Sequence, residues 1–315
     1  MTNPLIVITG PTACGKTPTA VALAKKINGE IVSADSMQIY RGMDIGTAKP
    51  TLAERDEIPH HMLDIADPKN DFSAAAFQQM ARDAIEDIHS RGKMPILVGG
   101  TGFYIAAAVY ENALTQDKDE EESAISKELI IREQLMKETA QEPEGAAALH
   151  NRLKIVDPQS ADRIHPNNIK RVVRALAYYE ANHQPISAHK RGRDLRYDTL
   201  FIVLHRDRAS LYQAIDRRVV VMIEQGLVRE VEELLATGVG NKTTAMQALG
   251  YKEIIPYLRK ECSLEAAVQA IQQGSRRYAK RQLTWFRHQI DGHWLSMDDK
   301  TPESAAEAIK ELALL

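Results

Sequence analysis

The chain has 315 residues, enough for about two domains, and its 44% hydrophobic and 26% charged residues are the proportions of a globular protein that buries its own core. Two cysteines, Cys14 and Cys262, exclude a disulfide scaffold and a four-cysteine zinc site and fit a reducing compartment. No run of about 18 apolar residues occurs, which excludes a membrane-spanning helix, and the N-terminus shows no signal-peptide pattern, so the expected address is cytoplasmic.

The net charge is −3, but the charges are segregated. Residues 163–196 hold eight Lys/Arg against two acids, residues 276–288 hold five against none, and residues 117–122 hold five acids and one Lys. Such segregation makes local electrostatic footprints that the net charge hides.

In chain order, residues 5–9 are a β-branched apolar run ending at Gly10 and predict a buried parallel strand. Ala20, Val21, Leu23, Ala24 and Ile27 then recur at helical spacing. Residues 31–33 predict a second strand ending at Asp35. Ser73 is the expected N-cap of a helix running to about His89, and residues 95–98 predict a third strand closed by Gly99 and Gly100. Strands alternating with helices imply an α/β fold with a parallel sheet. Residues 199–204 resume the strand pattern. Between 112 and 193 no strand is legible, and the segment reads as acidic, then helical, then basic. It is expected to be a helical insertion, leaving 1–111 and 194–315 as one core. After Asp207 the pattern is helical over 211–225, 227–236, 251–259 and 263–288, with a short strand at 293–296. Pro302 suits the first position of a last helix.

Gly10-Pro11-Thr12-Ala13-Cys14-Gly15-Lys16-Thr17 matches G-x-x-x-x-G-K-[ST], and it lies between a strand and a helix, as the mechanism of that motif requires. The glycines let backbone N–H groups turn onto a phosphate, and the helix N-terminus adds positive potential. Lys16 supplies a point charge and Thr17 a hydroxyl for Mg²⁺. The expected core is therefore of the P-loop NTPase-like kind. The loop is also the ATP-binding motif of nucleotide-binding enzymes, so it specifies a diphosphate or triphosphate without naming a nucleotide. An NTPase usually ends an apolar strand in an Asp that supports Mg²⁺. Residues 96–98 run instead into Gly99-Gly100-Thr101-Gly102, which counts against ordinary ATP hydrolysis.

Asp35 follows the second strand. In a doubly wound sheet the carboxyl ends of the strands share one crevice, so Asp35, Thr101 and the Lys16 loop should converge. Position alone leaves three roles open for Asp35: a ligand to Mg²⁺, a base, or the cap of the following turn.

Several segments together carry a family resemblance. They are 10–17, Asp-Ser-Met-Gln-Ile-Tyr-Arg-Gly-Met-Asp-Ile-Gly-Thr-Ala-Lys-Pro at 35–50, Pro-His-His at 59–61, and Gly-Gly-Thr-Gly at 99–102. Further along come Arg-Val-Val-Arg-Ala-Leu at 171–176, Thr-Ala-Met-Gln-Ala-Leu-Gly-Tyr-Lys-Glu at 244–253, and Arg-Tyr-Ala-Lys-Arg-Gln-Leu-Thr-Trp-Phe-Arg at 277–287. On these the chain resembles the bacterial tRNA dimethylallyltransferases (tRNA isopentenyltransferases) over nearly its whole length. The block at 35–50 is the most distinctive. The resemblance implies transfer of a dimethylallyl group from dimethylallyl diphosphate to the exocyclic amine of adenosine 37 beside the tRNA anticodon. Residues 10–17 would then hold the diphosphate, with Mg²⁺. It further implies that Thr101 and an Arg after the insertion assist the transition state. Arg218, directly before Val219, fits that pattern better than Arg217. Asp35 would be the general base, with Ser36, Met37 and Gln38 beside the adenine.

For tRNA the resemblance points to Lys170, Arg171, Val172, Val173 and Arg174 in the insertion. It also points to Thr243, Thr244, Gln247 and Lys252, and to Arg277, Lys280 and Arg281 on the last long helix. On that helix Arg276, Lys280 and Arg287 share one stripe and Arg277 and Arg281 another, while Tyr278, Trp285 and Phe286 are expected to be core. The partners implied are tRNA and dimethylallyl diphosphate, with no membrane, and the chain is expected to be a monomer. Three other readings remain open: a kinase or NTPase on the same loop, a non-catalytic tRNA binder, and prenylation of free adenine nucleotides. The basic insertion argues against the last. His60 and His61 lack the partners of a zinc site and are expected to pack in a loop. His165, His183 and His189 are expected to be solvated, the acidic run at 117–122 to begin an exposed linker, and the Cys14 thiol to be open to oxidation.

Overall fold

The computed structural model describes residues 3–111, 121–141, 145–188 and 194–313. The chain divides into two compact units, Met1–Glu111 with Asp194–Leu315, and Asn112–Arg193. Residues 117–120 of the acidic run and His189 lie outside the described residues.

In the first unit, β1 (Pro4–Thr9), β2 (Gly29–Ser33), β3 (His60–His61), β4 (Met94–Gly99), β5 (Asp198–His205) and β6 (His293–Ser296) form one sheet. Its order is β3-β2-β4-β1-β5-β6, and every pairing is parallel. The central strands are apolar on both faces because both are covered. Leu5, Val7, Val32, Leu97 and Val203 pack under α3 (Ala74–Ser90) and α4 (Gly102–Val109) through Phe77, Ile85 and Ile105. The alternate residues Ile6, Ile8, Ile31, Ile96 and Ile202 pack under α1 (Lys16–Ile27) and α13 (Pro302–Ala313) through Leu23, Ala24, Ala306 and Ile309. A separate apolar cluster joins α9 (Arg208–Glu224), α10 (Leu227–Ala236), α11 (Tyr251–Leu258) and α12 (Leu264–Gln289) to the segment after β2. It includes Ile39, Tyr40, Met43, Val219, Val231, Tyr251 and Ile271.

The strands expected at 5–9, 31–33, 95–98 and 199–204 are each found with slightly wider bounds. The Ser73 N-cap accepts a hydrogen bond from the Ala76 N–H at 3.0 Å. Three elements are additional: α4, the single turn α2 (Leu52–Arg55), and β3. His60 and His61 are not in a loop. They pair with Ile31 and Val32 as a two-residue edge strand, and His61 Nε2 lies 2.8 Å from a Glu30 carboxylate oxygen.

The second unit contains α5 (Glu121–Gln141), α6 (Gly145–Val156), α7 (Pro158–Arg163), α8 (Ile169–Asn182) and a 3₁₀ turn at Ile186–Ala188, with no strand among the described residues. Leu135, Leu149, Leu153, Val172, Val173 and Leu176 form its core. Val172 and Val173 are therefore withdrawn as tRNA contacts, since their side chains are buried between helices. Lys170, Arg171 and Arg174 are exposed on the same helix. The buried carboxylate of Asp157 caps α7 through the Ser160 N–H (2.9 Å) and receives the Ser187 N–H (3.0 Å).

Glu30 at the start of β2 is buried, yet it meets Arg91 at 2.8 Å and Lys93 at 2.8 Å. The Arg91 hydrogen bonds hold its carboxyl far below the usual carboxylate range, against burial, with Lys93 and His61 helping. A depressed folded-state pKa stabilises the fold above the ordinary carboxylate range, and that stabilisation is lost as the pH falls. Glu30→Gln should cost about 2 kcal/mol at pH 7. Denaturant titrations should show the gap to the parent protein closing as the pH drops below about 4.

Candidate active site

The phosphate loop leaves β1 at the carboxyl edge of the sheet. Gly10 has φ +144°, and a Cβ there would lie 2.2 Å from the Leu204 carbonyl oxygen, so only glycine lets the loop turn this close to β5. Lys16 begins α1, and its ammonium donates back to the carbonyls of Gly10 (3.1 Å) and Pro11 (2.8 Å). Burial pushes its pKa down. Pro18 sits in the first turn of α1, where its missing N–H is tolerated. Cys14 is fully buried, and its thiol donates to the Pro11 carbonyl at 2.9 Å. Burial pushes the thiol pKa up, against the pull of Lys16, Arg206 and Arg218. Cys14 is thus a packed, protonated thiol, and the expected exposure to oxidation is corrected.

The ends of β2 and β4 are laced together. Ala34 N–H donates to Val98 at 2.7 Å and Thr101 N–H to Ala34 at 3.3 Å. The Thr101 hydroxyl accepts from the Ser36 N–H at 3.1 Å. Asp35 Oδ1 accepts from the N–H groups of Met37 (2.9 Å) and Gln38 (3.4 Å), so this carboxylate caps its turn. Its Oδ2 has no hydrogen-bond partner among the described residues. One side chain thus combines the cap with a second oxygen left for chemistry. The Gln38 amide is engaged at both ends: its NH₂ donates to Thr47 (3.2 Å) and Ala48 (3.1 Å), and its oxygen accepts from the Ser33 hydroxyl (3.3 Å). It braces the 47–48 turn in this conformation.

Two helices complete the site. Arg218 on α9 is 3.3 Å from the Thr12 hydroxyl, whereas Arg217 is exposed. Burial pushes the Arg218 pKa down, opposed by the charge of Asp35. Gln282 on α12 is buried; its oxygen accepts from Thr12 N–H at 3.1 Å and its NH₂ donates to Gly100 at 2.9 Å. It clamps the phosphate loop to the turn after β4. Tyr278, one helical turn earlier, has its phenol pushed up to about 12 by burial, so it stays protonated at neutral pH.

These residues enclose two adjoining cavities. The larger, about 810 Å³, is lined by Thr12, Gly15, Lys16, Thr17, Asp35, Gln38, Gly100, Arg218, Tyr278 and Gln282, among others. The smaller, about 300 Å³, takes in Asp35, Ser36, Met37, Arg218, Gln247, Lys252, Tyr278 and Arg281. Asp35 and Arg218 face both. Thr101 lines neither and stands behind Ser36. Arg277 and Lys280 are exposed on α12. Thr243 bonds the Gly240 carbonyl at 2.9 Å, and Thr244 bonds Asp71. Arg276 pairs with Asp216. Phe286 is core and Trp285 packs against that core, as expected, but Tyr278 belongs to the site.

Gln282 was hidden in the sequence by the basic residues around it, and Tyr278 reads there as core with its aromatic neighbours. Their 4-residue spacing (278, 282) on the face opposite Lys280 is the signal that could have separated them. No group of three or more His, Cys, Asp or Glu side chains suited to a metal occurs among the described residues. A hydroxyl from Thr17 together with phosphate oxygens is nevertheless a donor set that Mg²⁺ accepts, because that ion keeps several waters.

A phosphate loop whose cavity also receives a carboxylate from the end of β2, two strands away in the sheet, defines a P-loop enzyme acting on a phosphorylated compound. The family model described as IPP transferase matches residues 38–289. The tRNA dimethylallyltransferase of Exiguobacterium sibiricum is 51% identical over 94% of this chain and 90% of its own length. That of Geobacillus thermodenitrificans is 47% identical over 99% and 96%. The crystal structure of the Bacillus halodurans tRNA isopentenylpyrophosphate transferase superposes with a TM-score of 0.72 at 41% identity, covering 99% of this chain and 96% of the other. A eukaryotic dimethylallyltransferase acting on tRNA reaches 0.83 at 32% identity, covering 98% and 78%. The chain belongs to the IPP transferase family.

Gln282→Leu should strand the Thr12 amide and the Gly100 carbonyl and lower stability by about 2–4 kcal/mol. A Cβ at residue 100 would lie 2.3 Å from Gln282 Nε2, so Gly100→Ala should open the same clamp. Thermal melts of the two single variants and the double variant should show losses well short of additive.

Proposed function

We propose that the chain transfers a dimethylallyl group from dimethylallyl diphosphate to the N6 amine of adenosine 37 of tRNA. The observation that carries this reading is that Asp35 and Arg218 line both cavities. The larger cavity has the phosphate loop. The smaller has Gln247, Lys252 and Arg281 at its wall. A diphosphate at one end and an amine at the other are then within reach of the same carboxylate.

The C1–O bond of the donor breaks, and its electron pair leaves with the diphosphate. The Lys16 ammonium exchanges its loop carbonyls for diphosphate oxygens, and the loop amides and Arg218 hold the growing negative charge. The Thr17 hydroxyl would hold Mg²⁺, which would supply positive charge to the leaving diphosphate when bound. The amine lone pair of adenine is delocalised into the ring and is weakly nucleophilic. As N6 bonds to C1, Asp35 Oδ2 accepts its proton. Thr101 fixes the Ser36 backbone and so the direction of the Asp35 turn. The adenine must leave its stack to reach this cavity, and Lys170, Arg171, Arg174, Arg277, Lys280 and Arg281 grip tRNA phosphates. The setting proposed is a cytoplasmic monomer. No helix among the described residues is long and apolar enough to cross a membrane.

Labelled dimethylallyl diphosphate, incubated with Mg²⁺ and a tRNA bearing adenines at 36 and 37, should transfer its label to the tRNA. ATP turnover in place of that transfer would point to a phosphotransferase. Asp35→Ala should lower the single-turnover rate by about 10²–10⁴-fold while leaving tRNA affinity within a few-fold. Arg218→Ala should lose about 10²-fold and Arg217→Ala less than about 3-fold, measured by the same assay. Replacing Lys170, Arg171 and Arg174 with Ala should weaken tRNA binding, and the slope of log affinity against log salt should flatten by about 0.7–0.9 per lost contact.

A further inference from the structure

Six residues line both cavities: Thr12, Asp35, Thr47, Arg218, Met222 and Tyr278. Four of them have polar side chains. Only Met222 and the ring of Tyr278 offer apolar surface on the common wall. The proposed function, on which this inference rests, requires the reacting carbon to lie between the diphosphate and the amine, along that wall. The hydrocarbon attached to it needs an apolar neighbour there.

The helix sets the distance. Arg218 and Met222 are four residues apart on α9, so they share a face and stand about 6 Å apart along the axis. Arg218 is at the phosphate loop, 3.3 Å from Thr12, and Met222 is one turn further on. At about 1.5 Å per bond, the three bonds from C1 to a terminal methyl of a dimethylallyl group span about 4 Å. A ten-carbon prenyl chain reaches roughly twice as far. Met222 is held from behind, since its side chain packs on the cluster that includes Ile39, Val219 and Tyr251. An unbranched thioether shapes itself to a small branched alkene.

We infer that Met222, with the Tyr278 ring, is the stop that limits the donor to five carbons. The test compares dimethylallyl and geranyl diphosphate on one tRNA transcript, using the parent protein and Met222→Ala. Inhibition by inorganic diphosphate, which has no tail, is measured alongside. The ratio of kcat/KM for the five-carbon donor over the ten-carbon donor should fall at least 10-fold in Met222→Ala. Inhibition by inorganic diphosphate should stay within about 2-fold. Met222→Phe should move the other way, losing dimethylallyl transfer while inorganic diphosphate still binds within about 2-fold of the parent by calorimetry. Met222→Val, which shortens the stop without emptying it, carries the test if the alanine variant does not fold. A selectivity ratio within about 2-fold of the parent in the folded variants would overturn the inference. Absence of dimethylallyl transfer by the parent protein would instead overturn the function on which it rests.

Discussion

The site depends on how closely β2 approaches β4. A Cβ at Gly99 would lie 2.2 Å from the Ala34 carbonyl oxygen. Glycine at 99 therefore permits the Ala34–Val98 and Thr101–Ala34 backbone bonds that lace the two strand ends. Because β4 lies between β2 and β1 in the sheet, this lacing also sets Asp35 relative to the phosphate loop. A larger residue at 99 would push the Asp35 turn away from the strand that carries Thr101. The two cavities would then lose the carboxylate that faces both.

Charge follows from that geometry. Lys16 and Arg218 are half-buried cations whose pKa values desolvation pushes down, and the charge of Asp35 opposes that push in both. Holding two cations partly out of water on one cavity wall is unfavourable unless an anion joins them. The loop carbonyls of Gly10 and Pro11 satisfy Lys16 only as neutral dipoles. A diphosphate would meet both cations at once, so the unliganded site is electrostatically prepared for one. The protonated Cys14 adds no charge of its own.

Much of this was legible in the sequence, for identifiable reasons. β1, β2, β4 and β5 are short apolar runs, because a parallel sheet covered on both faces has no polar side to interrupt them. The loop at 10–17 was legible because each fixed residue has its own mechanical task. β3 was not: His60 and His61 show no apolar pattern, and their strand exists because β2 supplies its backbone partners. Val172 and Val173 stand between Arg171 and Arg174 in the chain, so a contiguous motif hides that helical geometry turns them inward. Gln282 was obscured likewise, since the run 276–287 mixes a solvated basic stripe with a face that reaches the phosphate loop. A hydrogen bond across 270 residues, from Thr12 to Gln282, leaves no local trace.

The segment after β2 shows what the distinctive block at 35–50 does physically. Glu230 on α10 accepts the N–H groups of Asp44 (2.9 Å), Ile45 (2.7 Å) and Gly46 (3.0 Å) and the Tyr251 hydroxyl (2.6 Å). A Cβ at Gly46 would lie 2.4 Å from the Tyr251 ring, so glycine is what allows the segment to seat against α11. The buried Lys49 ammonium holds the Tyr40 carbonyl (2.7 Å) and the carboxylates of Asp44 and Asp64 (2.6 Å each). Of these residues only Ile45 lies on the larger cavity's wall, whereas Thr47, between Gly46 and Lys49, lines both cavities. The block keeps its shape through internal anchors rather than through a regular element. A wall built this way can place a side chain between two substrates without a helix or strand occupying the space they need.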